Sequence, residues 1–440
     1  FNTLIKCPDK DLDFIIQGNM KKKGFLSILA ALLSIVVPAI AGEMDILLDK
    51  LVQKGIFTAQ EAAEIRIEVE QEMRAGTVKT IGETLPAFLT NTKFSGDLRL
   101  RYQWDETDTG ASRSDRQRGR FRLRYGFETA PGEKTKVGVR LATGGKEPTS
   151  TNQTFERAFV GKTIAIDRAY VTHKILPFLT VSGGKIANPY FTTDLLWDSD
   201  INPEGAALLL NFKDSRLNPF VTLGFFGMGE NSHWSADPAI AALQTGICPQ
   251  FSGKPLKLAV SYYNFMGLKG KFMQEVSPDY VKRTNSNVAV VFPATPTSLE
   301  TTKHYWKYNY ELLETCLSFT PFQFRETIPL TLYGHYLRNL ASDVKDRSGW
   351  LAGFNLGRVK ERNEWEIGYN YRKLEKDAAP DIIVDSDFHG GGTNGRGHKF
   401  TIGYGFSRYA SVNLTYFNTG VVSGAKKDVQ MLQVDLNVKF

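Results

Sequence analysis

Hydrophobic and polar residues alternate along most of this chain. Leu98, Leu100 and Tyr102 occupy even-numbered positions, whereas Arg99 and Arg101 occupy the odd-numbered positions between them. A period of two puts successive side chains on opposite faces of a β-strand, so each segment has one apolar face and one polar face. Sixteen segments show this pattern, at 94–104, 116–129, 134–143, 165–175, 178–186, 205–213, 218–227, 240–251, 255–265, 306–319, 328–340, 348–358, 363–373, 397–407, 410–418 and 428–440.

The links between these segments alternate in length. Links such as 131–133 and 176–177 are short, whereas 144–164 and 266–305 are long. Short turns at one rim and long loops at the other are typical of a transmembrane β-barrel. A soluble β-sandwich would instead have shorter strands, with a turn signal roughly every 8–12 residues. The pattern predicts an all-β membrane fold over 93–440, an antiparallel transmembrane β-barrel of about sixteen strands, a size that encloses an aqueous channel.

The residues before the barrel follow a helical period. Leu47, Leu48 and Leu51 form an apolar stripe, and Thr58 with Glu61 has the spacing of a capping box. We therefore expect a short periplasmic helical segment and linker in the region before residue 93, beginning at 42 and ending at 92. Its role is open between an assembly or spacer element and a plug or cell-wall contact.

A short apolar run precedes that helical segment. Three lysines lead into the apolar stretch 24–38, and a small-x-small cleavage sequence follows it. This is the layout of a secretory signal peptide, which we expect over 20–41. The run is short and ends in a cleavage signal, which argues against a transmembrane anchor. Residues 1–19 precede a natural start at Met20 and are expected to be an upstream translation artefact.

Composition alone resembles that of a soluble protein. The 440 residues are 42% hydrophobic and 23% charged, with a mean hydropathy of -0.25. A membrane barrel has such averages because its lipid-facing and water-facing residues alternate. The net charge is +7, and it falls to +5 without residues 1–41, which hold five lysines and three aspartates. This charge is too small to indicate a nucleic-acid partner.

Motifs for covalent chemistry are weak. His389-Gly390-Gly391-Gly392 is similar to the oxyanion loop of lipases, but the sequence has no G-x-S-x-G nucleophile motif. The six histidines are scattered without metal-ligand spacing. We therefore predict no enzymatic activity, no cofactor and no metal site.

Arginines concentrate on the polar face of the first three segments. In lipid each would cost ~2–4 kcal/mol near the bilayer midplane, so this face must meet water. A ladder of fixed positive charge raises the local anion concentration, which favours anion passage. The alternative is a wall of mixed charge without strong selectivity. The predicted pore-lining residues are Arg99, Arg101, Arg116, Arg118, Arg120, Arg122, Arg124 and Arg140.

Several blocks of sequence resemble one family. They lie at 96–102, 116–124, 140–144, 167–170 and 184–205. Together they are similar to the bacterial "putative porin" family of outer-membrane β-barrel porins. The phosphate-selective porins are a neighbouring resemblance, since they also combine an arginine-lined pore with an N-terminal helical segment.

The resemblance implies a sixteen-stranded channel in the outer membrane, surrounded by lipid and lipopolysaccharide and assembled as a homotrimer. Phe440, with apolar residues at alternate positions before it, resembles the C-terminal signature read by the barrel-assembly machinery. The resemblance does not imply a particular solute.

The third long loop, 187–204, commonly folds into the channel in porins of this size, as the resemblance implies. Its acidic residues would then oppose the arginines and create a transverse field across a constriction. If the loop instead stays outside, these carboxylates form a solvated or cation-binding surface. The acidic residues are Asp194, Asp198, Asp200 and Glu204.

The function that these observations favour is passive diffusion of small hydrophilic solutes, with a preference for anions. Two other functions remain open. One is a barrel that sheathes an electron-transfer conduit with partner cytochromes, and the other is a sealed structural or adhesin barrel.

Overall fold

The computed structural model of this chain describes residues 52–53, 58–64, 67 and 91–440, except 146, 157, 214, 252, 278–283, 294–299 and 326–327. The predicted signal peptide and the residues before it lie outside the described residues, as does most of the predicted helical segment. Within that segment, residues 59–64 are helical.

The predicted capping box is present at the start of this helix. The Thr58 backbone N–H donates to Glu61 Oε2 over 2.8 Å, and the Glu61 backbone N–H donates to Thr58 Oγ1 over 3.2 Å. Two N–H groups that the first turn leaves without intrahelical partners are thereby satisfied. Among the described residues, no helix is long and apolar enough to cross a lipid bilayer.

Sixteen antiparallel strands form a closed barrel, as predicted. Each strand pairs with the next in the chain, and the last pairs with the first, from Asp97 opposite Lys439 to Asp108 opposite Asp428. The strands are β1 Lys93–Asp108, β2 Arg113–Thr129, β3 Thr135–Thr143, β4 Ile164–Leu176, β5 Leu179–Lys185, β6 Glu204–Asn211, β7 Phe220–Gly227, β8 Ala239–Ile247, β9 Lys254–Met266, β10 Tyr310–Gln323, β11 Pro329–Asn339, β12 Ser348–Gly357, β13 Trp365–Leu374, β14 Gly395–Gly405, β15 Ala410–Val421 and β16 Asp428–Lys439.

Phe440 completes the seam between the last strand and the first. Its backbone N–H donates to Gly96 O over 3.0 Å, and its carbonyl accepts from the Gly96 N–H over 2.7 Å. The phenyl ring lies against Gly96, where a Cβ atom would collide with it, and it stacks on Tyr125 with the ring centroids 6.4 Å apart. The terminal residue therefore contributes both backbone pairing and packing to closure.

Two of the links differ from the sequence prediction. The link expected at 105–115 is only a four-residue turn at 109–112, because both flanking strands continue to Asp108 and Arg113. The longest link, 267–309, contains a short helix at Met273–Val276 and a hairpin of Asn287–Phe292 with Thr301–Trp306. Two-residue strands at Gln153–Thr154 and Gln250–Phe251 pair with β2 and β9.

The outer face of the barrel is apolar. On β14, Phe400, Ile402 and Tyr404 are exposed, while the inward-facing Lys399 reaches the loop that crosses the interior. Burying such an outer face in hydrocarbon removes it from water, which is the main free-energy gain of membrane insertion.

Two loops, 186–203 and 375–394, fold into the barrel. The first contacts inward-facing side chains of strands around the whole circumference, including Arg124 on β2, Glu314 on β10 and Lys399 on β14. A segment with such partners must cross the interior. The second loop joins it through the Asp198 backbone N–H, which donates to Ile383 O over 2.8 Å.

The two loops build an apolar core inside one side of the barrel, against the inner faces of β6 to β12. This part of the interior excludes water, so the polar space lies along the opposite wall. The core includes Tyr190, Leu195, Leu196, Trp197, Phe226, Tyr263, Phe265, Trp306, Tyr310, Leu337, Ile382, Ile383 and Val384.

The orientation of the wall can be tested with two neighbouring positions on β15. Leu414 is exposed on the outer face, and Asn413 lines an interior cavity. We expect Leu414→Arg to lower the free energy of unfolding by about 2–4 kcal/mol in phospholipid vesicles, because it places a charge in hydrocarbon. Asn413→Arg is the matched control and should change it by less than about 1 kcal/mol. Equal losses in urea titrations would contradict this orientation.

Candidate functional site

Four arginines form a square on the inner wall, which we call the arginine block. Arg99 on β1 lies directly opposite Arg122 on β2, and Arg101 lies opposite Arg120. Alternate residues of each strand face inward, so all four guanidinium groups share the interior. The antiparallel register of two strands, rather than one strand alone, creates this concentration of positive charge.

Carboxylates neutralise two arginines of the block. Arg101 Nε lies 2.7 Å from Asp435 Oδ1 on β16, and its Nη1 lies 3.1 Å from Asp387 Oδ2 on the second inward loop. Arg122 Nη2 lies 2.5 Å from Asp97 Oδ1. Hydrogen bonds between charged groups are among the strongest in proteins, so these contacts orient the side chains as well as neutralising them.

The predicted arginines around the block are also largely paired. Arg118 Nη2 lies 2.8 Å from Asp105 Oδ1, and Arg140 forms an ion pair with Asp167. Arg124 pairs with Asp200 of the first inward loop. The wall is thus a lattice of ion pairs with a few additional positive charges, rather than an unbroken ladder of free charge.

Three predicted arginines have no carboxylate within ion-pair distance among the described residues. Arg99 Nη2 donates to Asn152 Oδ1 over 2.6 Å, and Arg120 Nη1 donates to Gln103 Oε1 over 3.1 Å. Arg116 is exposed. Amide oxygens orient a guanidinium group but leave its charge intact, so the excess positive charge of the wall resides on these three residues.

Three of the four predicted acidic residues lie in the first inward loop. Asp194 accepts from Lys399 Nζ over 2.9 Å, and its backbone carbonyl accepts from Arg372 Nη1 over 2.9 Å. Asp198 Oδ2 accepts from the Ser386 backbone N–H over 2.8 Å, which ties this loop to the second one. The carboxylates therefore contact the wall or the other loop directly, instead of facing the arginines across open space.

The grouping of Glu204 with these aspartates is wrong. Glu204 is the first residue of β6, lies opposite Lys185 on β5, and pairs with its Nζ over 2.5 Å. Both side chains have the outward parity, since the inward positions of these strands are held by Ala207 and Ser182. The strand begins one residue earlier than the sequence pattern predicts, and this reverses the assignment of the side chain.

Neighbouring charges set the proton affinity of the loop aspartates. Burial acts to raise the pKa of Asp194, but Lys399 and Arg372 outweigh it and hold this pKa at about 2. Burial likewise acts to raise the pKa of Asp200, and the charges of Arg124 and Arg122 lower it below its ordinary value. The loop is therefore anchored to the basic wall by ionised carboxylates.

Asp198 is the exception among these carboxyl groups. Burial, with the negative charges of Asp200 and Asp385, raises the pKa of Asp198 well above its ordinary value. Three carboxyl groups close together cannot all ionise without repulsion.

The second inward loop supplies site residues that the sequence prediction missed. Asp387 pairs with Arg101, and Asp385 pairs with Arg372 on β13. Burial acts to raise the pKa of Asp387, but the charge of Arg101 outweighs it and lowers this pKa far below the usual range. A signal was present in the sequence, because three consecutive apolar residues at 382–384 are unusual for a solvated loop.

A buried hydrogen-bond network anchors the first loop on the far side of the barrel. Glu314 accepts from Thr192 over 2.6 Å and from Ser261 over 2.6 Å, and its Oε1 lies 3.1 Å from His335 Nε2. Cys316 lies beside them, and one potential ligand atom from each of Glu314, Cys316 and His335 lies within 4.8 Å of the others. The hydroxyl donors that occupy the carboxylate of Glu314 assign this cluster to loop anchoring.

Two cavities lie on either side of the arginine block. The upper one, of about 330 Å³, opens toward the long-loop rim, and the lower one, of about 510 Å³, opens toward the short-turn rim. Charged residues of the upper cavity are Asp105, Arg116, Arg118, Arg120, Glu147, Asp387 and Lys427, and those of the lower cavity are Asp97, Arg122, Arg124, Arg140, Glu366 and Lys439.

Comparison with known proteins gives one family and several related structures. The model of the "putative porin" family matches residues 105–295 and 323–440. The structure is similar to the high-pH form of OprB from Pseudomonas putida, with 11% identity, a TM-score of 0.53, and coverage of 82% of this chain and 97% of that one. This likeness shows the same fold.

Two further solved structures have lower scores. A loop L8 deletion mutant of OmpT from Vibrio cholerae has 12% identity, a TM-score of 0.43, and coverage of 79% of this chain and 99% of that one. OmpF of Salmonella typhi in complex with daunomycin has 11% identity, a TM-score of 0.46, and coverage of 79% and 97%. No curated protein matches the chain in sequence.

The anchoring of the first loop predicts a pH-dependent stability. Asp194 has a lowered pKa of about 2, so its contact with Lys399 stabilises the barrel fully above the ordinary aspartate pKa of about 3.9 and is lost as the pH falls through about 2. We expect Asp194→Asn to lower the free energy of unfolding by about 1–3 kcal/mol at pH 7, because a buried cation loses its partner.

The difference between wild type and Asp194→Asn should shrink toward zero below pH 2. Asp343→Asn is the matched control, since Asp343 is exposed and its Oδ2 lies 3.8 Å from Lys269 Nζ. Urea unfolding in vesicles at several pH values measures both effects. A loss of the same size at all pH values would show that charge is not the cause.

Proposed function

The chain belongs to the "putative porin" family, and from this membership we propose that its outer-membrane barrel lets small hydrophilic solutes diffuse passively, with a preference for anions. The observation that carries the proposal is the strip of polar side chains along β16, β1 and β2, which lines both the upper cavity and the lower one. Solutes would follow this strip because the other side of the interior is filled by the apolar core.

The charge balance of the two cavities supports a moderate anion preference. Four basic and three acidic side chains line the upper cavity, and four basic and two acidic ones line the lower cavity. Fixed charge at low-dielectric walls attracts counter-ions, and salt screens this attraction within about 10 Å at 0.1 M. The preference should therefore be strongest in dilute salt.

The inward loops would set the size limit. They are held at several points, by Lys399 and Arg124 on one side and by Glu314 on the other. Small hydrated solutes would pass between these loops and the arginine wall, whereas bulky ones would be excluded by steric contact. No covalent step is needed, and the concentration gradient drives the movement.

The two rival functions make different demands on the interior. A sheath for an electron-transfer protein needs a lumen wide enough for a partner, whereas two loops and their core occupy much of this one. A sealed structural barrel would conduct no ions. We favour the channel because polar side chains of the same three strands line both cavities.

The wider context of the protein is part of the same proposal. The apolar outer face suits outer-membrane lipid and lipopolysaccharide, and we place the protein there as a homotrimer. The seam formed by Phe440 and Gly96 would follow recognition of the last strand by the barrel-assembly machinery. The region 42–92 would lie in the periplasm.

Ion selectivity in a planar bilayer tests this function. In a potassium chloride gradient, the wild-type reversal potential should indicate anion preference. Replacing Arg120, Arg122 and Arg124 with Ser should shift it toward cations, with at least about a twofold fall in the anion-to-cation permeability ratio, because three wall charges are lost.

Lys185→Ser is the matched control, because this lysine pairs with Glu204 on the outer face, and it should leave the reversal potential unchanged. An unchanged potential in the triple variant would remove the selectivity claim. A wild-type barrel that inserts but carries no current would contradict the channel itself.

A further inference from the structure

We propose that the arginine block is a binding site for a small oxyanion, which bridges Arg99 and Arg120. This inference rests on the proposed channel, since it places the site on the solute path. It goes beyond general anion preference because it names two residues, a chemical class and a saturable step.

The positive charges of the arginine block repel one another unless negative charge lies nearby. Like charges directly opposite each other on neighbouring strands destabilise a sheet, and here two such pairs are adjacent, Arg99 with Arg122 and Arg101 with Arg120. A close group of four guanidinium ions therefore requires nearby negative charge.

The protein supplies only part of that charge. Asp435 and Asp387 neutralise Arg101, and Asp97 neutralises Arg122. Among the described residues, no carboxylate lies within ion-pair distance of Arg99 or Arg120. The Nε atoms of Arg99 and Arg120 are buried and have no hydrogen-bond partner there, a feature that they share with the carboxylate-paired Arg118 and Arg124. What distinguishes Arg99 and Arg120 is therefore the missing carboxylate, which leaves both charges available to an anion from outside the chain.

The positions of the two arginines suit one shared ligand. Arg120 lies opposite Arg101, two residues from Arg99, so the pair is diagonal. Diagonal neighbours are about 7–8 Å apart, with somewhat shorter Cβ–Cβ separations, and lie within reach of long side chains. Asn152 and Gln103 each hold one of the guanidinium planes through a neutral oxygen. The planes are thus oriented in advance while both charges remain available.

Two features select the class of ligand. A guanidinium group presents a fork of N–H donors that matches the oxygens of a carboxylate, sulfate or phosphate group better than a spherical ion. Four guanidinium groups and three carboxylates leave the block a net charge of +1, and Arg99 and Arg120 are the two groups without a carboxylate partner. Chloride lacks such a set of oxygens, so it would bind the arginine block more weakly than an oxyanion does.

The upper cavity reaches the Arg120 side of this site. Arg116, Arg118 and Arg120 occupy alternate positions of β2 and line that cavity together. Because the exposed Arg116 lies nearest the long-loop rim, an entering anion would meet it first and Arg120 last. The exchange should be reversible, since neither Arg99 nor Arg120 is fully buried.

Block of chloride current by potassium sulfate tests the site. Single-channel current in potassium chloride should fall with added sulfate along a saturating curve. Methyl sulfate, which has one charge less, should block more weakly. Arg99→Gln and Arg120→Gln should each raise the half-blocking sulfate concentration at least tenfold.

Arg124→Gln is the matched control, because it removes one charge from the same wall but takes it from an existing ion pair. It should change the half-blocking concentration less than threefold. Equal effects of all three variants, or a block that never saturates, would overturn the site and leave an anion-preferring channel in place.

A second measurement does not depend on conduction. Sulfate should raise the thermal unfolding midpoint of the detergent-solubilised wild-type barrel, compared with sodium chloride of equal ionic strength, since a ligand of the folded state stabilises it. Arg120→Gln, checked for barrel structure by circular dichroism, should lose this shift. If the shift depends on Arg120 but no current flows, the binding site stands and the channel function fails. A shift that persists in Arg120→Gln would overturn the site.

Discussion

Hydrocarbon offers no hydrogen-bond partner to a polypeptide backbone, and the rest of this structure depends on that constraint. Every strand must pair along both edges, so the sheet has to close on itself, and β16 pairs with β1 along twelve residues of each. Closure in turn divides the side chains into an outer apolar set and an inner set that can be polar. The arginines can be concentrated on one wall only because this division exists.

The elements that could be predicted from the sequence are those with local causes. Alternation of hydrophobic and polar residues identifies a strand from only a few positions. The placement of Arg118, Arg120 and Arg122 on its polar, inward face follows directly. The capping box of Thr58 and Glu61 is equally local. Strand boundaries have non-local causes, because the continuation of β1 to Asp108 is decided by pairing with β2. One shifted boundary was enough to misassign Glu204.

Contacts between distant segments could not be predicted in this way. Nothing near Arg101 in the chain indicates that Asp435 and Asp387 will neutralise it, and nothing near Asp194 indicates Lys399. These pairs arise from strand register and from loops that cross the interior. The alternation of residues therefore places the arginines on one face of their strands, but it does not show how many of their charges are neutralised. Arg99, Arg116 and Arg120 are the arginines that these ion pairs leave without a carboxylate, and only the folded structure shows which residues they are.

The apolar core inside the barrel has a consequence for biogenesis. Asp194 pairs with Lys399 of β14, which lies 205 positions later in the chain. The neighbouring Leu195, Leu196 and Trp197 therefore cannot be held in their final positions until β14 has formed. Contacts between such distant segments form late, and intermediates that expose apolar surface aggregate readily. The half-built barrel is therefore the most vulnerable state of this protein, and changes that delay its C-terminal strands would reduce yield without altering the finished molecule.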